Sequence, residues 1–217
     1  MPTHHPKIYV NPKLANSFGT FISKVVIDLR AEMSRISQAF YQYKPLDGEL
    51  VGVDNLFSVI ERTWIGIFNN ALVRNSEIAV MQEFNVWNSE KNIGRCDLLF
   101  RFKDENQEAD IFVEAKSREF YNNLSRFGNV EFYKEILGQA YKYYKEEHNY
   151  YTKEVKLMAI IFEWIRNNER LEAAKSVMDN WGDKSDPETD FLTLYYGNTR
   201  GVFIYGKIIP VKEYELQ

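Results

Sequence analysis

Gly94-Arg95-Cys96-Asp97-Leu98-Leu99-Phe100-Arg101-Phe102, then the polar hexamer Lys103-Asp104-Glu105-Asn106-Gln107-Glu108, then Ala109-Asp110-Ile111-Phe112-Val113-Glu114-Ala115-Lys116-Ser117: this stretch decides how the chain is read. Two apolar-rich runs flank a polar turn, the pattern of a β-hairpin. If Phe102 pairs with Ala109 across the loop, the register carries Asp97 opposite Glu114. Alternation along the strands then gives one face Leu98, Phe100, Phe102, Ile111, Val113 and Ala115, which suits a core. The other face carries Asp97, Leu99, Arg101, Asp110, Phe112, Glu114 and Lys116. Opposed carboxylates repel, so a facing Asp97 and Glu114 beside an apolar layer call for a cation. Mg²⁺ prefers oxygen ligands, typically one or two carboxylates with water and phosphate. Lys116 points to the same face as Glu114, within reach of a metal-bound water or a phosphate. A slip of one residue would separate the two acids.

The rest of the chain bounds the setting. At 217 residues, 45% hydrophobic and 15% aromatic, it is long enough for a sizeable core in a single domain. There is no apolar run of the ~18 residues a membrane helix needs, and Met1–Lys13 lacks the apolar centre of a signal peptide. The lone cysteine, Cys96, excludes an internal disulfide and a cysteine-rich zinc site and fits a reducing cytoplasm. A net charge of −4 gives no global basic field, so any nucleic-acid contact is local or metal-mediated.

In order, the periodicities predict an irregular arm over 1–15. A long helix over about 18–43 follows, with Phe21, Val25, Leu29, Met33, Ile36 and Phe40 at helical spacing. That apolar face is of the kind used in a homodimer or against a partner protein. A second helix over about 55–74 carries Glu61 in or beside its apolar stripe, where a boundary pairing with Arg62 or Arg74 is the plain explanation. A strand over 77–87 leads into the hairpin. The polar segment from Ser117 to Asn129 is the loop behind Lys116, and holds Arg118, Asn122, Asn123 and Arg126. A helix over about 130–147 places Phe132, Ile136, Leu137, Ala140 and Tyr144 inward, with Gln139 and Tyr143 adjacent one turn apart. Val155–Trp164 is a nearly continuous apolar run, suited to a central strand covered on both faces. An amphipathic helix over 168–181 and short β segments over about 190–217 close the chain. The order predicts an α/β fold, a central mixed β-sheet flanked by helices. No Gly-rich phosphate loop follows a strand, which counts against nucleotide-binding folds.

Asp97, the spacer, and Glu114-Ala115-Lys116 resemble the PD-(D/E)xK nuclease superfamily, the restriction-endonuclease-like fold. Its α-β-β-β-α-β core matches the order over roughly residues 55–165. Members place a Glu on the helix before the meander, where Glu61 stands, and some exonuclease-type members place Gln-x-x-x-Tyr on the following helix, where Gln139 and Tyr143 stand. Cys96 replaces the proline of the family name. The chain is read as one nuclease-like domain with a core over about 53–165 that the resemblance accounts for, plus a helical extension over about 16–45 and a C-terminal β segment over about 190–217 that it does not explain.

It also implies a metal-dependent deoxyribonuclease. Asp97, Glu114, Glu61 and the carbonyl of Ala115 would hold Mg²⁺, with Mn²⁺ substituting. Lys116 would position the attacking water and offset charge on the phosphate, its ordinary pKa near ~10.4 making it a poor base. Gln139 and Tyr143 would orient Lys116 or touch the DNA backbone. Arg95, Arg118, Arg126, Lys134 and Lys142 are candidate phosphate contacts. RNA as substrate, or a non-catalytic nucleic-acid-binding or assembly module of the same fold, are the competing readings; the complete acid–lysine set speaks against the second.

Overall fold

The computed structural model describes residues 8–14, 17–42, 61–75, 80–87, 92–120, 130–146, 154–181, 189–196 and 200–216. Among these lie seven strands: β1 (Ile8–Val10), β2 (Val80–Trp87), β3 (Asn92–Lys103), β4 (Glu108–Glu119), β5 (Glu154–Ile165), β6 (Phe191–Tyr196) and β7 (Gly201–Pro210). The helices are α1 (Ser17–Gln42), α2 (Glu61–Asn75), α3 (Val130–Glu146), α4 (Asn168–Asn180) and the short α5 (Val211–Tyr214). The strands form one sheet in the order β1-β6-β7-β5-β4-β3-β2. Only β4 and β5 run parallel; every other pair is antiparallel, so the sheet is mixed. A parallel pair needs a crossover connection, and α3 lies in it.

The β3–β4 hairpin takes the predicted register, from Lys103↔Glu108 through Phe102↔Ala109 to Leu98↔Val113. Its turn is tightened by Asp104, whose Oδ1 accepts the backbone N–H groups of Asn106 and Gln107 at 2.7 and 2.8 Å. An Asp side chain bonding its own backbone two residues on is a turn-forming device. Leu98, Phe100, Phe102, Ile111, Val113 and Ala115 all enter one core, packed with α1 and α2. The opposite face of the sheet packs against α3 and α4 through a second core that includes Phe112, Ile136, Leu137, Ala140, Leu171 and Ala174. β5 feeds both: Met158, Ile160 and Phe162 join the first core, Leu157, Ala159 and Ile161 the second. A strand covered on both faces is apolar without alternation.

Several sequence expectations are corrected. The arm over 1–15 contains β1, which pairs with Phe191–Thr193 of β6; three residues are too few to carry a period, and the strand exists because β6 offers an edge. The loop expected from Ser117 begins later, because Ser117-Arg118-Glu119 stays paired with Phe162-Glu163-Trp164 of β5. On α3, Tyr133 and Tyr143 are buried while Phe132 and Tyr144 are half-buried. The α1 face read as a partner surface is spent inside the chain: Phe21, Val25, Leu29 and Met33 are buried and Ile36 packs on the same core. Residues 43–60, including the predicted start of the second helix, lie outside the described residues, as do 121–129.

α1 and α2 are clasped by charge as well as packing. Glu32, its side chain only 2% exposed, takes Arg74 of α2 at 2.8 Å and Arg35 of its own helix at 2.7 Å. The Arg35 hydrogen bonds, with Arg74 beside them, hold the Glu32 carboxyl below its usual value of 4.5 against the opposing effect of burial. A depressed carboxyl contributes stability above its unfolded pKa and loses it as pH falls through the folded value. The stability difference between wild type and Glu32→Gln should therefore be full at pH 7 and shrink below about pH 4.5. Urea titrations across that range measure it; a difference independent of pH would show that Glu32 acts through packing alone.

Candidate active site

The β2–β3 ladder shifts register between Val86 and Trp87, and nearer its middle it skips a pair without changing register. Gln82 pairs with Leu98 and Phe84 with Cys96, but the intervening Glu83 and Asp97 form no ladder pair. Glu83 has φ +50°, a left-handed conformation uncommon outside glycine. The break reverses the alternation of β3. Leu98 packs on the α1–α2 side and Cys96 on the α3 side, whereas residues two apart on a regular strand share a face. Asp97 sits at the inflection.

Asp97 is thus the first residue beyond the β3–β4 ladder, not a ladder partner of Glu114. Its carboxylate instead accepts the backbone N–H of Ala115 at 2.8 Å, which anchors it against the residue next to Glu114. Glu114 is 3% exposed and accepts Lys116 Nζ at 2.6 Å, with the lysine side chain 34% exposed. A buried carboxylate needs a countercharge, and Lys116 brings one from two residues along the same strand face. Cys96 closes the floor. Its Sγ donates to the carbonyls of Leu98 at 3.2 Å and Val113 at 3.7 Å. Burial first, then the negative fields of Glu114 and Asp97, push its thiol well above the usual value, so it is a packing group and not a nucleophile.

α3 supplies the wall. The Tyr143 ring lies over Gly94, where an added Cβ would meet Cε1 and Oη at 3.1 Å. Burial, with Glu114, Cys96 and Asp97 adding to it and Lys116 opposing, raises the Tyr143 phenol above its ordinary value. It is a neutral hydrogen-bond donor at working pH, beside both acids and the lysine. Gly94 has φ +146°, so Gly94→Ala both strains the backbone and crowds Tyr143. We expect a loss of about 1–3 kcal/mol in urea denaturation; an unchanged midpoint would show that Tyr143 is not seated there.

The remaining predicted residues divide. Gln139 is exposed on α3, one turn before the buried Tyr143. Glu61 opens α2, on the opposite side of the sheet from α3, and its side chain lies outside the described residues. Trp64, one turn on, stacks on Phe162, the neighbour of Ile161, which is the ladder partner of Lys116, so α2 begins near the lysine end of the site strands. Arg74, one partner foreseen for Glu61, is taken by Glu32. Arg95 is exposed and pairs with Glu83 at 3.2 Å. Lys134 is exposed, 3.6 Å from Glu131, and Lys142 is exposed. Arg118 is partly buried and bonded to Glu163. Arg126 lies outside the described residues. Glu163 was missed, although a lone glutamate near the end of the apolar run Val155–Trp164 was a signal that a cationic partner faces it.

Among the described residues, no group of three or more His, Cys, Asp or Glu side chains is placed to share a metal. Two carboxylates suffice for Mg²⁺, which keeps several waters. The donors here are of that kind: Asp97 and Glu114, with the main chain at Ala115 tied to Asp97. Lys116 supplies the countercharge that the buried Glu114 requires. Carboxylate oxygens are the donor type Mg²⁺ and Mn²⁺ prefer. Comparison of the chain with protein-family models, with curated proteins and with solved structures found no match.

Proposed function

We propose that this protein is a metal-dependent nuclease that hydrolyses phosphodiester bonds in DNA, of the PD-(D/E)xK type its motif resembles. The observation that carries the proposal is that Asp97 accepts the Ala115 N–H between Glu114 and Lys116 while Lys116 rests on the buried Glu114; the Tyr143 ring lies against Gly94, three residues before Asp97. Asp97 and Glu114 would hold the cation, with the Ala115 carbonyl as a further donor; no role is carried over to Glu61, which opens α2 on the other side of the sheet from α3. Bound there, the metal supplies Lewis acidity and a water of lowered pKa. The chain's own groups do the rest. Lys116, on a strand and one-third exposed, offsets charge developing on the phosphate oxygens. Tyr143 donates a hydrogen bond from the wall, and the apolar floor of Cys96 and Phe112 strengthens each electrostatic contact by excluding water.

The test is incubation with linear, circular and single-stranded DNA, and with RNA, in Mg²⁺ or Mn²⁺ and in EDTA. Metal-dependent cleavage of DNA that EDTA abolishes is the expected result. Preference for RNA would move the substrate class. Binding without cleavage in any metal would favour a non-catalytic module of the same fold and overturn the proposal. The buried lone thiol is compatible with the cytoplasmic setting expected for such an enzyme, and among the described residues no helix is long and apolar enough to cross a membrane.

A further inference from the structure

Two residues beyond Lys116 on the same face of β4, Arg118 is held from three sides. Its Nε donates to Glu163 Oε1, and its Nη2 donates to Tyr205 Oη at 2.6 Å. Tyr205 in turn donates to the same Glu163 oxygen at 2.9 Å, and the Phe132 ring lies 3.9 Å from the guanidinium carbon. The frame is itself braced: Tyr205 meets Tyr133 edge-on, and Tyr133 bonds Thr189 at 3.0 Å. Burial, with Glu163 beside it, keeps the Tyr205 phenol well above its ordinary value, so Tyr205 remains a donor. Glu163 is 4% exposed.

Such a network is costly to bury and is often replaceable by apolar residues at no loss of stability. Its distinctive product here is a rigid guanidinium. Arg has five N–H donors in a fixed fork suited to phosphate. Two are committed among the described residues, and 22% of the side chain stays exposed. Same-face neighbours on a strand stand roughly 6.5–7 Å apart. That spacing lets Lys116 serve one phosphate and Arg118 the next along the same strand.

We propose that Arg118 is a preset phosphate anchor for the strand being cut, one phosphate away from Lys116, with Glu163 and Tyr205 as its positioning residues. This rests on the nuclease reading and adds to it the direction in which the strand lies, along β4 from Lys116 towards Arg118.

The test exploits the pairing. Arg118→Gln combined with Glu163→Gln removes both charges, so the local net charge is unchanged and no buried charge is left alone. Binding of a fluorescein-labelled DNA duplex is followed by anisotropy in EDTA across a series of KCl concentrations. A lost phosphate contact should reduce the slope of log K against log [KCl] by about 0.9 and weaken binding at low salt by about tenfold. The exposed pair Glu172→Gln with Lys175→Gln, an ion pair of α4 at 2.7 Å, is the charge-neutral control and should change neither. An unchanged slope overturns the anchor and leaves the nuclease reading standing. Wild type that binds no DNA in EDTA overturns the anchor, since a guanidinium needs no metal to hold a phosphate; the cleavage assay judges the nuclease reading separately. Where the double variant does not fold, Arg118→Lys serves: charge retained and the fork lost predicts an unchanged slope with severalfold weaker binding, and wild-type affinity overturns the proposal.

Discussion

Lys116→Ala is expected to lower the rate of metal-dependent DNA cleavage by roughly 10²–10³-fold, the size of effect seen when one preorganised charge-stabilising donor is removed from an active site. Glu114 is the buried member of the pair, so removing its Lys116 partner also lowers stability, and cleavage is compared at a temperature where circular dichroism shows both proteins folded. The KM should change little and kcat should carry the loss, because the role assigned is to the transition state. Asp97→Ala should abolish cleavage as well. On the proposed reading it removes a metal donor, and it leaves the Ala115 N–H without the Asp97 carboxylate it donates to, so some loss of stability accompanies it. Steady-state cleavage of a labelled duplex measures both, and equal cleavage by wild type and both variants would mark a contaminating nuclease and remove the assignment.

Trp64→Ala is expected to cost about 3–5 kcal/mol, the range for truncating a buried tryptophan. That is a large share of the 5–15 kcal/mol typical of a folded domain. Trp64 is fully buried and stacks on Phe162 with ring centroids 5.8 Å apart and planes 13° from parallel. It joins α2 to β5, the strand that pairs with the Glu114–Lys116 segment. Its Nε1 is buried with no hydrogen-bond partner among the described residues, so Trp64→Phe, which keeps an aromatic face and removes that donor, should cost less than about 1.5 kcal/mol. Urea denaturation followed by circular dichroism distinguishes the two. Equal losses for Phe and Ala would show that the indole nitrogen has a role the burial does not reveal.

The hairpin was legible because its alternation and its turn agree: six alternating apolar positions and Asp104 at the turn leave one register that buries a face. β5 was legible for the opposite reason, the absence of alternation in a strand covered twice. The inflection at Asp97 was not legible. It is accompanied by a left-handed φ at Glu83 in the neighbouring strand, and a glutamate gives no local sign that it will adopt that conformation. The sequence therefore reached the right neighbours for Asp97 by the wrong contact, a facing pair where the structure has a carboxylate on the Ala115 amide. β1 was missed because a three-residue strand is made by its partner β6 and not by its own pattern. The α1 stripe was legible as apolar, but periodicity alone does not say whether a partner or the chain's own sheet covers it; the first core does. Arg118 was foreseen as a surface phosphate contact, and its burial against Glu163 and Tyr205 arises from an extension of β4 that the polar sequence after Lys116 concealed.

The central claim is that Asp97 and Glu114 jointly hold one divalent cation beside Lys116. Calorimetric titration of Mn²⁺ into wild type, Asp97→Asn and Glu114→Gln tests it without relying on cleavage. The site predicts saturable binding to wild type that each substitution weakens by at least about tenfold, a loss of one charged donor costing at least about 1.4 kcal/mol. Wild type that binds no Mn²⁺, or equal binding by all three proteins, would contradict it.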